Sequence, residues 1–113
     1  MHERVLGREL VTALRHAAAA RGLKRVHHAR VAVGALRQVD PQALDLCFRV
    51  AAPGSVAENA ELSIEQPLAA AHCLSCRTEV VVRRRADACP NCGGHRLRFL
   101  GGDEFRILAC DGE

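Results

Sequence analysis

Large aromatic side chains are scarce in this sequence, which has no Trp, no Tyr and three Phe in 113 residues. A core built without them is thin, so a chain of this length is expected to need an additional cross-link. Few aromatic rings also leave little surface on which nucleic-acid bases could stack. The six cysteines are the obvious source of the cross-link.

Long apolar runs and a strong net charge are missing as well. No apolar run approaches the roughly 18 residues that a membrane helix needs, and the opening Met-His-Glu-Arg lacks the pattern of a signal peptide. The formal net charge of +3 falls to +1 if four thiols lose their protons to bind one divalent ion, a change of −2. That charge is too small for strong phosphate binding. We therefore expect a cytoplasmic protein that binds neither membranes nor nucleic acids.

The apolar periodicity predicts a small α/β domain. Apolar residues recur at helical spacing over residues 4–21 and alternate with other residues over 24–36, 60–66 and 104–110. Asp40 before Pro41 is typical of a helix start, with Asp as the N-cap and Pro at the first helical position. The element order predicts a sheet of about three strands with two helices.

Two cysteine pairs with metal-site spacing interrupt this α/β pattern. They are Cys73-x-x-Cys76 and Cys89-x-x-Cys92, separated by twelve residues. Each pair lets one tight turn direct two sulfurs at the same ion, and two such turns complete a tetrahedron. Four thiolates leave no open position for water, so we predict a structural Zn(II) site. Residues 68–102 are then a zinc-ribbon-like lobe inserted before the last strand.

Other interpretations of the cysteines and histidines are weaker. Disulfides need an oxidising compartment, and a thioredoxin-like redox motif has a single Cys pair. His72 and His95 flank the lobe and are interpreted as surface residues or as neighbours of the zinc ligands. The hypothesis that either one replaces a Cys ligand when the pH or a second metal changes is left open. Cys47 fits the apolar stripe of the second helix, and Cys110 is unpaired in the last strand; neither is assigned to metal.

The arginine run 83–85 lies between the Cys pairs, and we expect it near the tip of a hairpin. It is interpreted as a solvated face; a docking surface for an acidic partner is the second interpretation and nucleic acid the weakest. We find no nucleophile with a base, no paired carboxylates and no open zinc position, and therefore expect no enzyme activity.

The first two residues offer a different kind of metal site. The Met1 amine, the His2 peptide nitrogen and the His2 ring Nδ1 form a five- and a six-membered chelate ring with one ion. Deprotonated amide nitrogen favours square-planar Ni(II) or Cu(II) over Zn(II). Three nitrogens leave one position open, so the ion could be passed on.

These features together resemble the HypA/HybF family of nickel metallochaperones, which help to mature [NiFe]-hydrogenases. The resemblance rests on Met1-His2-Glu3 before an amphipathic helix, the Asp-Pro helix start, the two Cys pairs and Gly102-Asp103-Glu104, and it covers essentially the whole chain. It implies a nickel-binding domain formed by residues 1–67 and 103–113, with the zinc lobe separate.

The resemblance also implies residue roles and partners. His2 with N-terminal backbone nitrogens would bind Ni(II), Glu3 would tune the site, and Asp40 is a candidate fourth contact, although we favour its role as a helix cap. The implied partners are a nickel-handling GTPase, since the chain has no phosphate-binding GxxxxGK[ST] motif, and the hydrogenase large subunit. The departures from the pattern are Arg77, where Gly would suit the turn, and the arginine run. The alternative function is a zinc ribbon that binds nucleic acid or protein.

Overall fold

The computed structural model describes residues 2–113, which divide into two compact units. The first unit comprises the described residues up to Val31 together with Val39–Ile64 and Arg106–Glu113, and the second comprises Ala32–Gln38 and Glu65–Phe105. The helices are α1 (His2–Ala20) and α2 (Pro41–Ala51). The strands are, in chain order, β1 (Val26–Val33), β2 (Glu61–Glu65), β3 (Ala69–Cys73), β4 (Glu79–Val82), β5 (Leu97–Phe99) and β6 (Phe105–Gly112).

Local signals place both helices where the sequence predicts them. α1 begins two residues earlier than expected, and it ends where Leu23 N–H donates to the Ala18 carbonyl at 2.8 Å, a bond typical of a helix C-terminus. α2 begins at Pro41 because Asp40 caps it: the Asp40 carboxylate accepts from Gln42 N–H at 3.0 Å. The predicted cap is therefore confirmed.

The first sheet has the strand order β2-β1-β6 and contains the three strands predicted from alternation. β1 ends at Val33, earlier than the predicted 24–36, because residues 35–37 form a 3-10 turn. The end of β1 meets the start of β6, since Gly34 N–H donates to the Glu104 carbonyl at 2.8 Å. The predicted α/β fold with two helices and a three-stranded sheet is confirmed.

The core of the first unit consists mainly of aliphatic side chains. Leu10, Leu14, Leu44 and Phe48 are almost completely buried, at 1% exposure or less. α1 and α2 pack closely where Gly7 lies against α2. Cys47 is partly buried on α2, in line with its predicted position on the apolar stripe.

The second sheet, with strand order β4-β3-β5, carries a much smaller core. Ala69 pairs with Val82, and Ala71 pairs with Val80 on one side and Phe99 on the other. The buried cluster consists of Leu36, Ala69 and Val82, with partly buried neighbours around it. Such short side chains bury little apolar surface, so the expected need for a cross-link falls on this unit.

The position of the arginine run in the lobe differs from its prediction. The first Cys pair forms the turn between β3 and β4, so the arginine run 83–85 follows β4 and does not occupy a hairpin tip. β3 was not predicted because its sequence, Ala-Ala-Ala-His-Cys, has no alternating apolar pattern. Within residues 2–113, no helix has the length and hydropathy required to cross a bilayer.

The close contact at Gly7 gives a stability prediction. A Cβ at residue 7 would lie 2.9 Å from the Cys47 carbonyl carbon and 3.0 Å from Phe48 N, so the two helices would have to move apart. We expect Gly7→Ala to lower the free energy of unfolding by about 1–2 kcal/mol despite the better helix propensity of Ala. Denaturant unfolding followed by circular dichroism measures this, with Thr12→Ala on the exposed face of α1 as the control. An unchanged or raised stability of Gly7→Ala would contradict the packing argument.

Candidate metal centre

The two Cys pairs lie in turns with the same backbone hydrogen bond. Arg77 N–H donates to the Cys73 carbonyl, and Gly93 N–H donates to the Cys89 carbonyl, both at 2.8 Å. In each turn the residue after the second Cys has a positive φ, 58° at Arg77 and 77° at Gly93. The equivalent turns direct their sulfurs in the same way, as the repeated spacing predicts.

The four sulfurs lie close enough together to surround one tetrahedral zinc ion. Sγ of Cys73 is 3.7 Å from Sγ of Cys92, and Sγ of Cys76 is 3.8 Å from Sγ of Cys89. All four lie within 4.8 Å of one another. A Zn–S distance of about 2.3 Å in a regular tetrahedron places sulfurs about 3.8 Å apart, so these two pairs match it and any wider pair would have to shorten by about 1 Å at most.

Histidine is absent from this cluster. Within residues 2–113, the four cysteines are the one group of three or more His, Cys, Asp or Glu side chains placed to hold an ion. His72 lies partly buried on β3 and His95 is exposed. Their replacement of a Cys ligand stays a hypothesis that the arrangement does not favour.

Crowding of four thiols separates their pKa values. The Asn91 amide donates to Sγ of Cys76 at 3.4 Å and lowers the pKa of that thiol to about 6. At Cys92, the Gly94 N–H donates to the sulfur and lowers the pKa, but the Cys73 sulfur, burial and the other sulfurs raise it to about 11. A divalent ion removes this conflict because it stabilises all four thiolates together.

The site leaves no position for chemistry on a substrate. Cys73 and Cys89 are buried, at 0% and 2% exposure, so the first cysteine of each turn lies in the interior of the second unit. With four sulfurs bound, the coordination sphere is closed, which is typical of a structural ion. An ion bound by all four sulfurs would therefore cross-link the turns and offer no place for a metal-bound water.

Two of the residues proposed for nickel, His2 and Glu3, lie in the first turn of α1. His2 is the first residue of the helix and is exposed, whereas Met1 lies outside the described residues. The Glu3 carboxylate accepts from the backbone N–H of Asp40 at 3.3 Å. Its own backbone N–H and that of Asp40 lower the pKa of Glu3, so the side chain is a carboxylate at neutral pH.

The contact between Glu3 and Asp40 was missed by the sequence analysis. It joins residues 37 positions apart through a backbone amide, and no local pattern signals such a bond. Asp40 itself uses its carboxylate to cap α2. Its role as a nickel contact therefore stays a prediction, and the cap is the role that the structure displays.

Comparison with known proteins identifies the family. The family model "HypA: Hydrogenase/urease nickel incorporation, metallochaperone, hypA" matches residues 1–111. The chain belongs to the HypA family. Among curated relatives, the hydrogenase maturation factors HypA of Azotobacter vinelandii and Rhodobacter capsulatus are 39% and 41% identical over 107 residues, which cover 95% of this chain and 95% of each relative.

Solved structures agree on the HypA fold. The Ni metallochaperone HypA from Helicobacter pylori superposes with a TM-score of 0.72 at 19% sequence identity, covering 99% of this chain and 97% of that chain. The resemblance stated from the sequence is thus confirmed. The HypA family consists of metallochaperones for nickel incorporation. This agrees with the sequence analysis, which found no combination of residues typical of an enzyme active site.

Loss of one sulfur should empty the zinc site. We expect Cys76→Ala and Cys89→Ala each to reduce bound zinc from one ion per chain to none, because three thiolates no longer close the tetrahedron. Metal analysis of purified protein measures this. Cys47→Ala is the control, since Cys47 lies outside the cluster and should keep one zinc per chain. A full zinc complement in either cluster variant would rule out the assigned site.

The two equivalent turns allow an exchange experiment. An L-residue at positive φ is strained, so Arg77→Gly should tighten zinc binding by about 1 kcal/mol, or about fivefold in the dissociation constant. Gly93→Ala should weaken it by a similar factor, because nothing lies within 4 Å of the added Cβ and only the backbone conformation opposes it. Competition with a zinc chelator measures both. Gly101→Ala, at an open position without positive φ, is the control; equal affinities for all four proteins would refute the strain argument.

Proposed function

We propose that this HypA-family chain carries Ni(II) at its N-terminus and delivers it during maturation of [NiFe]-hydrogenase. The ligands are the Met1 amine, the His2 peptide nitrogen and the His2 ring Nδ1. The observation that carries the proposal is the position of His2, exposed at the first residue of α1 in a chain of a nickel-incorporation family. Nickel is the cargo, so its site must be accessible.

Helix geometry supports the use of the His2 backbone nitrogen. The first four N–H groups of a helix have no acceptor within the helix, so the amide of His2 is not engaged in the helical hydrogen bonds. Loss of its proton therefore costs no intrahelical bond. Deprotonated amide, amine and imidazole nitrogens together favour Ni(II) in a planar arrangement.

Glu3 and Asp40 support the site from the protein side. The 3.3 Å bond from Asp40 N–H to the Glu3 carboxylate attaches the first turn of α1 to the start of α2. We propose that Glu3 tunes the nickel site in this way, by fixing the turn that carries His2. Asp40 as a fourth nickel contact is the weaker part of the proposal, because its carboxylate already caps α2.

The zinc ion in this proposal is structural, held by Cys73, Cys76, Cys89 and Cys92, while nickel is transferable. Delivery requires partners, for which we propose the nickel-handling GTPase of hydrogenase maturation and the hydrogenase large subunit. We also place this activity in the cytoplasm, where thiols stay reduced and available to zinc. Residues 1–67 with 103–113 would form the nickel-binding domain and 68–102 the zinc lobe.

Removal of the His2 ring should separate the two metals. We expect His2→Ala to abolish tight Ni(II) binding and to leave one zinc per chain, because the ring contributes one of three nitrogens and lies outside the sulfur cluster. Calorimetric titration of untagged protein with Ni(II), together with metal analysis, measures this. His16→Ala, at an exposed position on the same helix, is the control.

The same experiment tests the free amine. Two residues added before Met1 displace the amine from the chelate and should weaken nickel binding as His2→Ala does. Nickel binding that survives this extension would refute the N-terminal chelate, and loss of zinc in His2→Ala would show that the two sites are not separate.

A further inference from the structure

The second sheet buries one face and exposes the other. Ala69, Ala71 and Val82 point to the buried side, at 5% exposure or less. Neighbouring residues along a strand alternate between faces, so Ala70 and Val81 lie on the opposite side. Ala70 pairs directly with Val81 in the β3–β4 register.

The exposed face has an apolar centre. Leu100 N–H donates to the Ala70 carbonyl at 2.8 Å, which places Leu100 beside Ala70 on the other flank of β3. Val81 is 56% exposed, Leu100 53% and Leu68, one residue before β3, 42%. We name Leu68, Ala70, Val81 and Leu100 the outer apolar row. Contiguous exposed apolar residues of this kind, bordered by charge, mark interaction surfaces.

Arginines border the outer apolar row. His72 pairs with Arg98 on β5 and with Glu79 on β4, which forms a polar row next to the apolar one. At the end of β4, the Asp87 carboxylate accepts from the backbone N–H groups of Arg83 and Arg84, both at 3.0 Å. This contact fixes the backbone of the turn that directly follows β4, so both arginines lie at the end of that strand, where their side chains are exposed.

The charge of the lobe differs in sign from that of the rest of the chain. Residues 68–102 contain six arginines against two acidic residues, a net charge of +4, which four zinc-bound thiolates would lower to +2. The remaining residues contain ten basic and eleven acidic side chains, a net charge of −1. The excess positive charge is thus concentrated in the segment that carries the outer apolar row.

We propose that the outer apolar row and its arginine border dock an acidic surface of a partner protein that presents apolar side chains at its centre. The outer apolar row would be buried at the centre of the interface. Carboxylates of the partner opposite Arg83, Arg84 and Arg98 would orient the two proteins and speed their association. The proposal rests on the proposed function, because delivery of nickel requires a protein partner.

Two other occupants fit less well. A second copy meeting this face through a two-fold axis would bring the same arginine border against itself, which like-charge repulsion disfavours. Nucleic acid would use aromatic rings for base stacking, and the aromatic ring of β5, Phe99, packs toward the buried cluster on the opposite face.

The test uses zinc-loaded untagged chain and the two purified partner proteins of the proposed function. We expect one of them to bind the wild-type chain with an affinity that falls as salt is raised. Val81→Glu should weaken that binding at least about tenfold, and Arg83→Glu should weaken it and reduce its salt dependence. Val81→Thr, which keeps the shape and β propensity, should weaken it less. Zinc content and nickel titration of each variant should match those of the wild type.

Leu46→Glu is the matched control, because Leu46 is 63% exposed on α2 of the first unit. Equal weakening by Leu46→Glu and Val81→Glu, or no weakening by Val81→Glu, overturns the proposal. Sedimentation that shows a wild-type dimer dissociated by Val81→Glu assigns the face to a second copy and also overturns it, as does RNA or DNA binding lost in Arg83→Glu. If neither protein binds the wild-type chain, the docking proposal is overturned. A normal nickel titration in that case would still support the N-terminal nickel site.

Discussion

The close approach of four cysteine sulfurs is the constraint on which the second unit depends. Its buried cluster of Leu36, Ala69 and Val82 offers too little apolar area to offset the ordering of nearly fifty residues. Cys73 ends β3, and the second Cys pair leads into β5, so an ion held by both pairs also fixes the register of the sheet. Metal coordination at this cluster would perform the task that aromatic side chains perform in larger cores.

The first unit is stabilised differently, by buried leucines, Phe48 and a capped helix. The donor atoms proposed for the two metals differ in the same way. Four soft thiolates close around Zn(II), whereas three nitrogens at a chain terminus favour Ni(II) and leave a position open. The preference of each site for its own metal would thus follow from donor type and geometry, because affinity alone would not direct Zn(II) and Ni(II) to different sites.

Sequence reasoning succeeds where the signal is local. The Asp40 cap, the two Cys turns and the strained position of Arg77 each depend on a few neighbouring residues. It misses β3, since three alanines become a strand only by pairing with the valines of β4. It also misses the bond from Asp40 N–H to Glu3, which depends on how α1 and α2 pack, and the Asn91 bond to Cys76, which depends on how the two turns meet.

Zinc bound by the four cysteines would affect the proposed docking face without belonging to it. Four zinc-bound thiolates would lower the charge of residues 68–102 from +4 to +2, which by itself would weaken attraction to an acidic partner. The apolar row, however, exists only when β3, β4 and β5 are paired, and an ion held by the sulfur cluster would stabilise that pairing. A disordered lobe without zinc would carry more positive charge but would have no defined surface for a partner. For partner binding, the ordering of the sheet would therefore matter more than the loss of two positive charges. A structural ion can therefore determine partner recognition while its own coordination sphere stays closed.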